Sequence, residues 1–183
     1  MFCLCGLVFA VTIFGRTPSA ASAAGVWLDV PFIKQEKDGC GAASIAMVMQ
    51  YWVKQGKNIG PAPDPAEIQR ELYSREGHGI YASDLEHYFQ EHGFRAFAFQ
   101  GTWDDLKQHL GQGRPLIVAL KPSHGSSDLH YVVVAGLDGQ QAFVLVNDPA
   151  ERKLLKQDWP GFEKQWSAVG KWTLLAVPQS QPH

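Results

Sequence analysis

The sequence predicts an α/β domain of the α+β kind, helical in its N-terminal half and built on an antiparallel sheet in its C-terminal half. Three observations carry that expectation. Between Cys40 and Lys54 a proline-free run sets Ile45, Met47, Val48, Met49, Tyr51 and Trp52 among small residues, the pattern of a mostly buried helix. Two helix-start signatures follow, at Asp64-Pro65-Ala66-Glu67 and Ser83-Asp84-Leu85-Glu86. Beyond residue 129 the character changes: His130 to Leu137 and Gln140 to Asn147 are β-rich runs around Asp138-Gly139, a dipeptide that favours a tight hairpin.

Taken in chain order, the first element is not part of the domain. Phe2 to Phe14 is an apolar stretch of 13 residues, followed by Arg16 and an A-x-A pattern at Ala21-Ser22-Ala23. Residues 1–24 therefore read as a secretory signal peptide or an N-terminal membrane anchor, shorter than the roughly 20 residues of a comfortable span. Residues 25–183 form one domain. Val26 to Ile33, with Pro31 inside it, is a short strand or extended entry segment leading to the Gln35–Cys40 loop. After the long helix, Asn58 to Pro63 is turn-rich, and the Asp64 signature opens a helix to about Glu76. Gly77-His78-Gly79 ends it, and Ser83 caps a third helix that stops at Gly93. Phe94 to Phe99 alternates as a strand, Thr102-Trp103-Asp104-Asp105 caps a short helix to Leu110, and Pro115 to Leu120 is a buried strand. Lys171 to Val177 supplies a further strand. In a two-residue hairpin, with Leu137 and Gln140 flanking the turn, His130 lies opposite Asn147 and next to Asp148. Pro149 biases Asp148 toward extended backbone at the strand exit.

Composition narrows the function classes. Without residues 1–24 the chain carries 15 Lys and Arg against 18 Asp and Glu, interspersed and without a basic stripe. That balance argues against nucleic acid and against an anionic membrane surface as partners, leaving the N-terminal segment as the only membrane contact. Hydrophobic residues make up 45% of the chain, enough for one buried core without disulfides. Nothing in the sequence fixes the oligomeric state. Metal signals are poor: there is no H-E-x-x-H, His87 and His92 stand on different helix faces, and no cofactor motif is present.

The chemistry gathers at Cys40. Cys3 and Cys5 lie in the N-terminal segment, so an exported chain keeps a single thiol, unpaired in a compartment where cysteines usually pair. A lone cysteine is most often a small buried hydrophobe. This one begins a helix, where unpaired N–H groups and the helix dipole favour the thiolate, and glycines flank it on both sides. His130 is the matching base, with Asp148 or Asn147 available to orient the imidazole. Gln35, five residues upstream of the thiol, is positioned to aim its amide at an oxyanion together with the Cys40 N–H. His124 and His78 sit in loop-like sequence and read as solvated or rim residues.

The set Gln35-x4-Cys40-Gly41-x2-Ser44, His130-Tyr131-Val132-Val133-Val134 and Asn147-Asp148-Pro149 resembles the bacteriocin-processing, double-glycine-leader cysteine peptidases, a papain-like family, over about residues 29–177. The resemblance implies a papain-like fold, Cys40 and His130 as the catalytic pair, Asp148 as the third member and Gln35 in the oxyanion hole. It also implies a peptide or protein substrate and a Cys acyl-thioester intermediate. Two departures stand out: Gly39 occupies the place of the aspartate that often precedes the nucleophile, and no transporter or ATPase domain follows. Two other functions fit the same residues: a Cys-His amidase or acyltransferase acting on cell-wall or peptide substrates, and a non-catalytic peptide-binding or assembly module.

Overall fold

A computed structural model describes residues 25–61, 63–122 and 129–179. The N-terminal segment 1–24 and His124 lie outside the described residues. The elements are β1 (Val26–Trp27), α1 (Cys40–Lys54), α2 (Pro65–Leu72), α3 (Ala82–Glu91), β2 (Phe94–Gln100), α4 (Trp103–Gly111), β3 (Leu116–Leu120), β4 (His130–Asp138), β5 (Phe143–Asn147), β6 (Leu155–Asp158), α5 (Trp159–Ser167) and β7 (Trp172–Pro178). The strands form one sheet in the order β2-β7-β3-β4-β5-β6, every pair antiparallel. β1 pairs with the far end of β4, beyond the reach of β3 on the same edge.

Both faces of the sheet are covered. Tyr131, Val133 and Ala135 of β4 and Ile117 and Ala119 of β3 share a core with α1, α2 and α3, whereas the alternate residues Val132, Val134, Leu116 and Val118 share one with α4 and α5. That is why the central strands read as continuous apolar runs: each side chain, whichever way it points, meets a helix. β4 has neighbours on both edges and helices above and below, and His130 begins it.

Four sequence expectations need correction. α2 ends at Leu72, not near Glu76, because Tyr73 turns extended (φ −65°, ψ 123°) and its hydroxyl donates to Asp38 Oδ2 at 3.3 Å. The turn after it is closed by Ser74 and Gly79 pairing through both backbone bonds. α3 starts at Ala82 with Tyr81 as its N-cap residue, so Ser83 lies inside the first turn and bonds Asp84 instead of capping. The β4–β5 connection is a four-residue loop: Asp138 Oδ1 accepts from the amides of Gln140 and Gln141, each at 2.9 Å, and so stays in the strand opposite Phe143. A bulge between Val134 and Gly136 shifts the ladder again, and Asn147 faces Val133 rather than His130. Finally, β6 and α5 were not anticipated, although Asp158 with Pro160 repeats the Asp64-Pro65 style of helix start; Asp158 accepts from Gly161 N at 2.9 Å.

Candidate active site

Cys40 occupies the first position of α1, a helix whose N-cap, Gly39, offers no side chain to its free amides. The amides of Cys40, Gly41 and Ala42 have no acceptor among the described residues. The approach to the helix is held from α2: Gln69 Nε2 donates to Asp38 O at 3.3 Å and Tyr73 to the Asp38 carboxylate. Asp38 itself sits at φ +57°, a left-handed turn that aspartate tolerates better than most residues. One turn into α1, the buried Ser44 Oγ donates to Tyr131 O at 3.4 Å, seating the start of the helix against the start of β4. Gly41 lets the wall of the site close in, since a Cβ there would come within 3.2 Å of Ile80.

Those contacts bring the thiol to the imidazole. His130 Nε2 lies 2.7 Å from Asp148 Oδ1, with the two side chains 18% and 9% exposed. Nδ1 is thus the nitrogen left for the sulfur. Burial pulls the His130 pKa down, but hydrogen bonds to Asp148 and Cys40 and the charges of both outweigh it, and the net result is a rise to about 9. The ring is an imidazolium at neutral pH. Asp148 is held by its own turn, its Oδ1 also accepting from Ala150 N at 2.9 Å.

Asn147, the alternative orienter, is engaged elsewhere. It is fully buried, donates from Nδ2 to Val30 O at 3.1 Å and Pro31 O at 3.4 Å, and accepts from Leu154 N at 2.9 Å. It ties the entry segment to the end of β5. Backbone ties the Gln35 loop to the Asp148 turn: Gln35 N donates to Pro149 O at 2.9 Å.

Cys40, His130, Asp148 and Gln35 line one cleft of about 500 Å³. It is also lined by the segment from Gly77 to Ala82, by Leu120, Pro122, Leu129 and Tyr131, and by Glu151, Gln157 and Gln165. His78 is on the rim as expected, exposed and at φ +48°. Asp64, the N-cap residue of α2, lines a second cavity that shares Gln35 with the first. Sequence reading missed Glu151 and Gln157, since both lie in a stretch whose strand and helix were not recognised.

A half-buried thiol at a helix N-terminus, an imidazolium on the adjoining sheet and a carboxylate behind it, within an α+β fold, define the papain-like class of cysteine hydrolases. The sequence matches the Peptidase_C39 like family over residues 27–174, and the chain belongs to that family: it is a cysteine peptidase. No curated protein matches the sequence. Among solved structures, a chain described as a C39-like peptidase from Bacillus anthracis superposes with a TM-score of 0.69 at 21% identity, covering 86% of this chain and 99% of its own. A double-glycine-motif protease of an AMS/PCAT transporter, solved with a leader peptide, gives 0.64 at 22% identity, with 84% of this chain and 95% of its own covered. The peptidase domain of Streptococcus ComA, a bifunctional ABC transporter of a quorum-sensing pathway, gives 0.63 at 20% identity, covering 82% and 98%. At these identities the likeness is one of fold.

Proposed function

We propose that the protein is an exported cysteine peptidase that hydrolyses a peptide bond through an acyl-thioester on Cys40. The observation that carries the reading is the His130 Nε2 to Asp148 Oδ1 hydrogen bond beside the thiol at the head of α1. With Nε2 engaged, Nδ1–H faces the sulfur and holds it as the thiolate. The sulfur attacks the scissile carbonyl carbon, and the carbonyl oxygen, now carrying the charge, is met by the Cys40 N–H and the Gln35 side-chain amide. His130 Nδ1 passes its proton to the departing amine as the C–N bond breaks. The neutral ring then takes a proton from water, whose oxygen attacks the thioester, releasing the carboxylic product and the thiolate. Asp148 keeps the ring oriented and charged between turns.

A peptide substrate is supported by the family and by the leader peptide in the PCAT protease complex. Export is supported by the apolar segment and the A-x-A pattern before residue 25. The test is cleavage of a mixture of N-acetylated, C-amidated random hexapeptides, read by mass spectrometry. New peptide termini from the wild type and none from Cys40→Ala support the reading. Intact peptides, despite a Cys40 that reacts with a thiol-directed probe, contradict it.

A further inference from the structure

The cleft is chemically one-sided. Apart from Cys40, His130, Asp148 and the phenols of Tyr81 and Tyr131, the titratable groups that line it among the described residues are Asp38, Glu151 and His78; no lysine or arginine does. Lys34 and Arg70 line the second cavity, across Gln35, and Lys37, inside the nucleophile loop, is exposed and lines neither cavity. Glu151 is exposed and forms no ion pair among the described residues, and the Asp38 carboxylate meets only the Tyr73 hydroxyl. Around the single His130 imidazolium stand the carboxylates of Asp148, Asp38 and Glu151, which set a negative potential inside a concave site, where field lines concentrate.

Two further observations give the missing partner its shape. Gln157 Oε1, on the cleft wall, is buried and has no hydrogen-bond donor among the described residues. A buried acceptor without a donor costs free energy that a ligand N–H recovers. In addition, Tyr81 and Leu129, each 46% exposed, are two of the exposed large hydrophobic side chains of the protein, and both line this cleft. Carboxylates, an orphan acceptor and apolar surface in one cavity suit a long side chain with a hydrophobic stem and a donor-rich cationic head.

We propose that the cleft selects a lysine or arginine side chain of the substrate beside the scissile bond, with Glu151 and Asp38 as counter-charges and Tyr81 and Leu129 along its methylene stem. The proposal rests on the peptidase reading and adds the substrate class. Two exposed charge contacts of ordinary strength give roughly tenfold discrimination of Arg over Glu in kcat/KM. High salt erodes it, because the contacts are partly solvated.

The experiment has two arms. In the first, the random blocked hexapeptides are digested with wild type and Glu151→Gln, and residues flanking each cut are counted. Roughly tenfold enrichment of Lys and Arg over Glu and Asp, reduced in Glu151→Gln, supports the proposal. Cleavage without charge preference, or a preference that Glu151→Gln leaves intact, overturns it and leaves the peptidase reading standing. The second arm does not depend on turnover: the same mixture is passed over immobilised Cys40→Ala protein at low salt. A retained fraction rich in Lys and Arg supports the proposal even where wild type cleaves nothing, the outcome that would remove the peptidase reading alone. Absence of retention, or retention without basic enrichment, overturns it.

Discussion

Replacing Asp148 with alanine tests the electrostatics of the site most sharply. In the folded protein the His130 pKa stands near 9 against an ordinary 6.5, a rise of about 2.5, with burial opposing and the hydrogen bonds and charges of Asp148 and Cys40 prevailing. Asp148→Ala removes one of the two raising partners while the ring stays buried. An opposite charge in direct contact shifts a pKa by about 1–3, so the His130 midpoint falls by roughly one to two. Stability moves with it. A pKa raised on folding contributes stability that is complete below the unfolded value of 6.5 and vanishes as pH climbs through 9. At about 1.36 kcal/mol per pKa unit, the full contribution is about 3 kcal/mol below pH 6.5, and the variant forfeits about 1–3 kcal/mol of it there. The assays are a His130 ring-proton titration by NMR, and urea unfolding at pH 6 and pH 10. The alkaline limb of the pH–rate profile should move to lower pH in the variant. An unmoved His130 midpoint, or equal destabilisation at both pH values, refutes the reasoning.

Gln35→Ala should lower kcat about 10²–10³-fold with little change in KM, the signature of a lost oxyanion donor; an unchanged kcat in steady-state kinetics removes Gln35 from that role. Asn147→Ala should destabilise the fold by roughly 2–4 kcal/mol, because it strands Val30 O and Leu154 N in the interior, yet leave the pH of the alkaline limb in place. Denaturant unfolding and a pH–rate profile check both halves. Gly136→Ala would push a methyl group to 2.7 Å from Val26 O, so β1 should lift from β4 at a cost of about 1–3 kcal/mol. Faster hydrogen exchange at Leu28 N, now bonded to Ala135 O, reports it.

How much of this was legible in the sequence depends on the range of the interaction. α1 could be read to its boundaries because its apolar spacing and its flanking glycines are local, and α4 because Thr102 and Asp105 cap each other reciprocally. The hairpin register could not. It was set by the Asp138 side chain competing for two loop amides and by a bulge at Ala135, neither of which follows from the strand pattern. The slip matters for the site, since a two-residue turn would have put Asn147 opposite His130, whereas the buried Asn147 serves the entry segment. Asp148 reaches His130 from the strand exit, as the Asp-Pro step suggested. The role of Ser44 in seating α1 on β4 depends on a partner 87 residues away, beyond any local pattern. Glu151 and Gln157 were hidden for the same reason: only the folded sheet carries the residues after β5 round to the cleft.

The central claim is that His130, held charged and oriented by Asp148, activates the Cys40 sulfur as the nucleophile. The rate of Cys40 alkylation by iodoacetamide at pH 6 measures that directly, because only the thiolate reacts. The account predicts labelling far faster than that of glutathione in the wild type, and much slower labelling in Asp148→Ala. Labelling of the wild type at the glutathione rate, or equal rates in the two proteins, would contradict it.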